Sequence, residues 1–160
     1  MKENRKLPDD ALLPRDTRRS LPIALLRARE AVMARFRPVL QSQDVTEQQW
    51  RVIRVLAEQS PLDATELADR ACILAPSLTR IIRSLEERGL ILRERDQGDG
   101  RRILLSLSDK GLEIIYNVSP ASRAVYADLE ERYGRDRIEA LLEMLSDLAA
   151  LKHEETKAGE

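Results

Sequence analysis

Apolar residues recur every three to four positions along most of this chain, and the repeat restarts at a few defined points. Ser20 stands where an N-cap belongs, and the stripe Leu25, Val32, Met33, Phe36 and Leu40 predicts a first helix from there to about Leu40. Thr46-Glu47-Gln48-Gln49 has the form of a capping box, opening a second helix with Trp50, Ile53, Leu56 and Ala57 inward. After Pro61, Asp63-Ala64-Thr65-Glu66 repeats that signature with Asp as the cap. It predicts a short third helix with Leu67, Ala68 and Ala71 inward. Cys72 to Ala75 read as a turn, and Pro76 suits the first position of a fourth helix.

The fourth helix is the most informative. Leu78, Ile81, Ile82 and Leu85 fall at i, i+3, i+4 and i+7 and share one face. The opposite face carries Pro76, Arg80, Arg83 and Glu87, with Thr79 beside them. Gly89 then ends the helix. Two short helices joined by a tight turn make a helix-turn-helix. A second helix that buries one stripe and shows Thr and Arg on the other suits a DNA major groove.

Beyond Gly89 the period changes. Leu90 to Arg95 and Arg102 to Leu107 predict two strands, joined by the turn-rich loop Asp96-Gln97-Gly98-Asp99-Gly100-Arg101. Ser108 caps a long fifth helix, Asp109 to about Tyr133. Pro120 lies inside it, which predicts a kink or a break near Ser119, with Ser119 and Pro120 restarting the helix. Gly134 ends it, and Ile138, Leu141, Leu142, Leu145, Leu148 and Ala149 define a sixth.

The predicted fold class is mainly α: a winged helix-turn-helix of six helices and one β-hairpin wing, with a helical dimerisation region. Residues 1–19 read as a flexible arm and 20–152 as one domain. Within it, 20–42 and 109–152 supply dimerisation helices and about 46–107 the winged helix-turn-helix. Residues 153–160, including His153, read as a polar tail. The outer helices bear longer apolar stripes than a lone subunit of 160 residues can cover, so a homodimer is expected.

Composition narrows the function. No apolar run approaches the ~20 residues of a membrane helix, and the charged N-terminus has no signal-peptide core, so a cytoplasmic chain without membrane contact is expected. One Cys and one His make a disulfide framework or a zinc site built from those ligands unworkable, and no cofactor is implied. No nucleophile–base pairing or phosphate loop argues for an enzyme. The net charge of −1 hides an asymmetry. Residues 75–102 carry seven Arg against five acids, a net of +2, whereas 127–160 carry ten acids against five bases, a net of −5. A local basic surface is what phosphate contact requires.

Taken together, Thr46 to Arg54, Pro76-Ser77-Leu78-Thr79-Arg80, Leu85 to Leu90 and the wing segment Asp99 to Gly111 resemble the MarR family of winged-helix transcriptional regulators, over roughly Leu21 to Leu151. Ser108 stands where that family usually has Thr. Ile23 to Ala31, Phe36-Arg37-Pro38 and Arg70 to Thr79 are more narrowly similar to regulators of homoprotocatechuate (hydroxyphenylacetate) degradation operons. A longer N-terminal arm and Pro120 depart from that pattern.

The resemblance implies a homodimeric, DNA-binding repressor of an aromatic-catabolism operon, relieved by a small aromatic acid. Its partner would be a pseudo-palindromic double-stranded operator. In that reading Ser77, Thr79, Arg80 and Arg83 contact DNA from the fourth helix. Arg101, held by Asp99, and Arg102 contact it from the wing. Arg29 interrupts the apolar stripe of the first helix, and a charge there needs a partner. It reads either as an ion pair in the dimer, to Glu30 of the other subunit or an acid on the fifth helix, or as the anchor of an effector carboxylate. Trp50 would line the same pocket or belong to the core. Cys72 reads as a small buried hydrophobe or, in a rival function, as the sensor of a redox-responsive regulator. A further rival is a helical dimer that uses its winged helix for protein contacts.

Overall fold

Local capping signals place most of the element boundaries in the computed structural model, which describes residues 17–151. A 3₁₀ turn, Thr17–Arg19, precedes α1 (Leu21–Gln41), α2 (Glu47–Glu58), α3 (Ala64–Ala71) and α4 (Ala75–Glu87). The strands β1 (Ile91–Arg95) and β2 (Ile103–Leu107) follow, then α5 (Asp109–Tyr133) and α6 (Arg135–Ala150). The arm expected over residues 1–19 thus has its last three residues in a turn, and its other residues lie outside those described, as do His153 and the polar tail.

Both capping boxes form. Thr46 Oγ1 accepts the Gln49 N–H at 3.2 Å, and Gln49 Oε1 accepts the Thr46 N–H at 3.0 Å. Asp63 and Glu66 repeat the exchange at 2.9 and 3.2 Å. Gly89, with φ of +70°, closes α4 as a Schellman motif. Its N–H reaches the Glu86 carbonyl, and the Leu90 N–H reaches that of Leu85. Ser20 precedes α1 but its side chain makes no capping bond.

The strands pair antiparallel, with Ile91 opposite Leu107 and Arg95 opposite Ile103. Each begins one residue later than the sequence suggests. Reciprocal backbone bonds between Leu62 and Leu105, at 3.0 and 2.8 Å, tether β2 to the segment before α3.

The buried core runs from Val45 to Leu105. Val52, Ile53 and Leu56 of α2 meet Leu67 and Ala71 of α3 and the four-residue stripe of α4. Ala57, expected inward, is exposed: it sits 100° round from Leu56, on the side of the exposed Arg54. Outside that lobe the buried residues are sparse. Leu40 closes α1, Val118 and Gly111 are buried in α5, and no residue of α6 is buried.

Pro120 does not break α5, which runs unbroken to Tyr133. Ser119 is not an N-cap; its hydroxyl donates back to the Ile115 carbonyl at 2.6 Å. The carbonyl that Pro120 orphans belongs to the exposed Tyr116, where water can satisfy it. Packing on both sides holds the helix together. Val118 is fully buried, and Phe36 of α1 meets Tyr126 edge-on at 5.2 Å.

Candidate nucleic-acid interface and effector site

The turn between α3 and α4 sets the pose of α4. Cys72 adopts the left-handed conformation, with φ of +51°, and the buried Ile73 bonds back to the Ala68 carbonyl at 3.0 Å. Arg51 of α2 closes the end of α3, with Nη1 donating to the carbonyls of Ala71 and Cys72, both at 2.9 Å. A guanidinium suits those outward-pointing carbonyls. Cys72 itself is exposed, against the expectation of a buried thiol, because its left-handed backbone turns the side chain away from the Ile73 anchor.

With Leu78, Ile81, Ile82 and Leu85 buried, α4 presents Pro76, Thr79, Arg80, Arg83 and Glu87 to solvent. Ser77 is half-buried at the third residue of the helix, near its unpaired N–H groups. The Thr79 hydroxyl donates to the Ala75 carbonyl at 3.1 Å. Arg83 pairs with Glu87 at 3.0 Å, but both side chains are mostly exposed, so the pair is worth little. Arg80 has no ion-pair partner among the described residues.

The two wing arginines occupy different environments. Asp99 accepts the Arg101 N–H on its carboxylate at 3.1 Å and the Arg102 N–H on its backbone carbonyl at 2.8 Å. Asp99 thus shapes the tip through the backbone, and the Arg101 side chain is left exposed. Arg102 turns the other way: Nε and Nη2 reach Asp63 Oδ2 at 3.0 and 2.7 Å, and Nη2 also reaches Glu66 at 3.2 Å. The Asp63 pKa is lowered, first by the Glu66 backbone N–H and then by Arg102.

Arg29 finds its carboxylate within the chain. It pairs with Glu47 at the start of α2, and not with an acid of α5. Glu47 also accepts Arg37 Nε at 2.6 Å, and Arg37 Nη2 reaches Glu30 at 2.6 Å. Burial works to raise the Glu47 pKa, but the bonds from Arg37 and Arg29 outweigh it and the group stays below its usual range. Glu30 is lowered by its bond from Arg37, and the Arg37 guanidinium is raised by Glu30 and Glu47. This chain of alternating charges ties α1 to the winged-helix lobe.

Beside it lies an open cleft of about 500 Å³, walled by Arg37, Leu40, Glu47, Gln49, Ser84 and Arg88. Neither Arg29 nor Trp50 lines it. Trp50 is half-buried and packs against the core of the lobe. Arg37, Glu47, Arg51 and Arg88 escaped the sequence reading, as did the pairing of Asp63 with Arg102. The only local trace is the Asp63 capping box, since its ion-pair partner lies 39 residues away.

Within the described residues no helix is long and apolar enough to cross a membrane, and no cluster of His, Cys, Asp and Glu could hold a metal. The model of the MarR family matches residues 45–103, the winged-helix lobe. FarR, an HTH-type transcriptional regulator of Neisseria gonorrhoeae, is 41% identical over 133 residues, which cover 83% of this chain and 91% of that protein. The homoprotocatechuate degradative operon repressor of Escherichia coli is 40% identical over 132 residues, covering 82% and 89%. Among solved structures, NadR in complex with 4-hydroxyphenylacetate superposes with a TM-score of 0.75 at 40% identity, covering 86% of this chain and 97% of that one. The repressor CouR bound to a 23-mer DNA duplex superposes at 0.73 and 33% identity, covering 81% and 92%. On the exposed face of α4, the hairpin that follows it and these likenesses along nearly the whole described chain, the protein belongs to the MarR family of transcriptional regulators.

Proposed function

We propose that this regulator is a cytoplasmic, homodimeric repressor of an aromatic-compound catabolic operon, released by a small aromatic acid. The observation that carries the DNA part is the exposure of Thr79, Arg80 and Arg83 on the solvent face of α4 together with Arg101 at the wing tip. In this reading α4 enters a major groove, with Ser77 and the helix start near a phosphate, and Arg101 enters the adjacent minor groove. Asp99 shapes the tip, and Arg102, committed to two carboxylates, drops out of the direct contacts. The dimer is supported by apolar side chains left uncovered on α1, α5 and α6, including Leu25, Leu112, Tyr116, Leu142 and Met144. Burying them would complete a dimerisation region made by residues 20–42 and 109–152.

The effector part is supported by the relative that represses a homoprotocatechuate operon and the neighbour that holds 4-hydroxyphenylacetate. Arg29 and Trp50 are its candidate residues. The Arg29–Glu47 pair favours the structural role for Arg29, and an acid anchored there must displace Glu47.

The test begins with a duplex enriched by the wild-type protein from a random-sequence pool. Affinity should fall steeply with salt, by a log–log slope of about −0.9 for each phosphate neutralised. A flat profile would refute the reading. Titrated 4-hydroxyphenylacetate should release the duplex; indifference to it and to related aromatic acids would remove the effector assignment. Arg29→Ala then separates the two roles. Normal release identifies a structural pair, whereas lost release with an unchanged melt identifies an anchor. The exposure of Cys72 favours one second reading, a redox-responsive regulator. In that case peroxide rather than the acid releases the duplex, and Cys72→Ser abolishes the response.

A further inference from the structure

The wing is fastened to the helix-turn-helix at two points, one within β2 and one just before it. One is the reciprocal backbone pair between Leu105 and Leu62. The other, three residues earlier, is the Arg102 guanidinium, forked onto Asp63 with a further bond to Glu66. Both carboxylates are themselves held in place, since they form the capping box that starts α3. The far end of α3 leads through the Cys72 turn into α4. The wing tip and the reading face of α4 are therefore both referenced to α3, from opposite ends of it.

We propose that Arg102 is a positioning residue for DNA recognition: it sets the pitch of the wing against α3 and so decides where the neighbouring Arg101 reaches. Two local features support this over a phosphate contact. The cluster holds one cation and two anions, so it carries net negative charge toward the duplex. A phosphate would also have to compete with two carboxylates fixed by backbone N–H groups. Beyond the fork, the tip from Asp96 to Arg101 is held by its own turn bonds: Gly98 N–H to Asp96, Arg101 N–H to Asp99, and Asp96 N–H to the Arg102 carbonyl. It moves as a unit on its base. A small rotation at Arg102 is carried outward to Arg101.

The inference rests on the DNA-binding reading above, and its test separates the two. Affinity is measured for the wild-type-enriched duplex with Arg102→Gln, Asp63→Asn and the double variant. Asn keeps the N-cap of α3 while removing the charge. As a positioning pair, each single variant weakens binding by about three- to fivefold, the upper range for a partly exposed ion pair, and the double variant loses no more than either. The sign of the Asp63→Asn effect is decisive. Removing an anion near DNA strengthens binding if Arg102 merely contacts phosphate, so unchanged or tighter binding by Asp63→Asn overturns the proposal. Additive losses, or wild-type affinity in Arg102→Gln, overturn it too. A fold-only role is excluded by a second cycle: Arg101→Ala should cost less affinity in the Arg102→Gln background than in wild type, with the thermal melt held as a control. Equal costs in both backgrounds also overturn the proposal. A wild-type chain that enriches no duplex defeats the DNA-binding reading itself, and the positioning role with it.

Discussion

Gly111 offers a perturbation in which local propensity and tertiary packing give opposite signs. It occupies the third position of α5, where Ser108 Oγ accepts its N–H at 3.0 Å. Helix propensity alone says that Gly111→Ala stabilises the chain, by up to about 1 kcal/mol. The structure says otherwise. A Cβ at Gly111 would stand 2.2 Å from the Leu90 carbonyl oxygen and 2.6 Å from Leu107 Cδ1. Carbon and oxygen normally meet at about 3.3 Å, so the start of α5 must retreat from Leu90 by roughly 1 Å. That retreat is resisted. The Ser108 N–H donates to the same Leu90 oxygen at 3.1 Å, and the Ser108 hydroxyl donates to the Gly89 carbonyl at 2.7 Å. Overpacking costs about 1–3 kcal/mol, and a weakened hydrogen bond about 1 more. Against the propensity gain, the net loss is about 2 kcal/mol. For a chain of this length that lowers the melting temperature by about 4–8 °C, measured at fixed protein concentration because a dimer's melt depends on it. DNA affinity should fall as well, since Leu90 and Leu107 bound the base of the wing. A melt equal to or above wild type would show that α5 is free to slide at this point and refute the argument.

Two further expectations concern the reading helix and acid stability. The double variant Arg80→Ala/Arg83→Ala should lose the enriched duplex with little change in melt, because both side chains are exposed; wild-type affinity would end the recognition role of α4. Replacing the one that contacts a base should cost about 1–3 kcal/mol at one position of the site, and replacing a phosphate contact should weaken all sequences alike. Glu30, Glu47, Asp63 and Asp128 are held below the usual carboxylate range by arginine or backbone donors, with burial opposing that at Glu47. A carboxylate depressed in the folded state contributes stability above its unfolded pKa and loses it as pH falls through its folded value. The melt should therefore be level from about pH 5 to 8 and decline below about pH 4. A melt unchanged down to pH 2 would mean that these pairs contribute nothing.

Several features were legible from the chain order alone, and they share a cause. The bounds of α5 at Ser108 and Gly134, the two capping boxes, the Gly89 stop and the buried stripe of α4 each depend on residues within about four positions of one another. Hydrogen bonds across one helical turn and a 3.6-residue period are local geometry, so residue type and spacing suffice. The exposed side of α4 followed from the same arithmetic.

What the tertiary structure decided lies at longer range. Pro120 predicts a break by local rules, but α5 continues through it because Val118 is buried and Phe36 meets Tyr126, and those contacts act on the helix as a whole. Arg29 announced itself as a misplaced charge, but its partner Glu47, 18 residues on, could be found only once α1 and α2 were docked. Arg101 and Arg102 are adjacent and chemically identical, yet one is presented at the wing tip and the other is clamped to α3. Nothing local distinguishes them. The difference comes from the docking of the wing on α3, which brings Asp63 and Glu66 within reach of Arg102 while Arg101 stays in the turn at the tip.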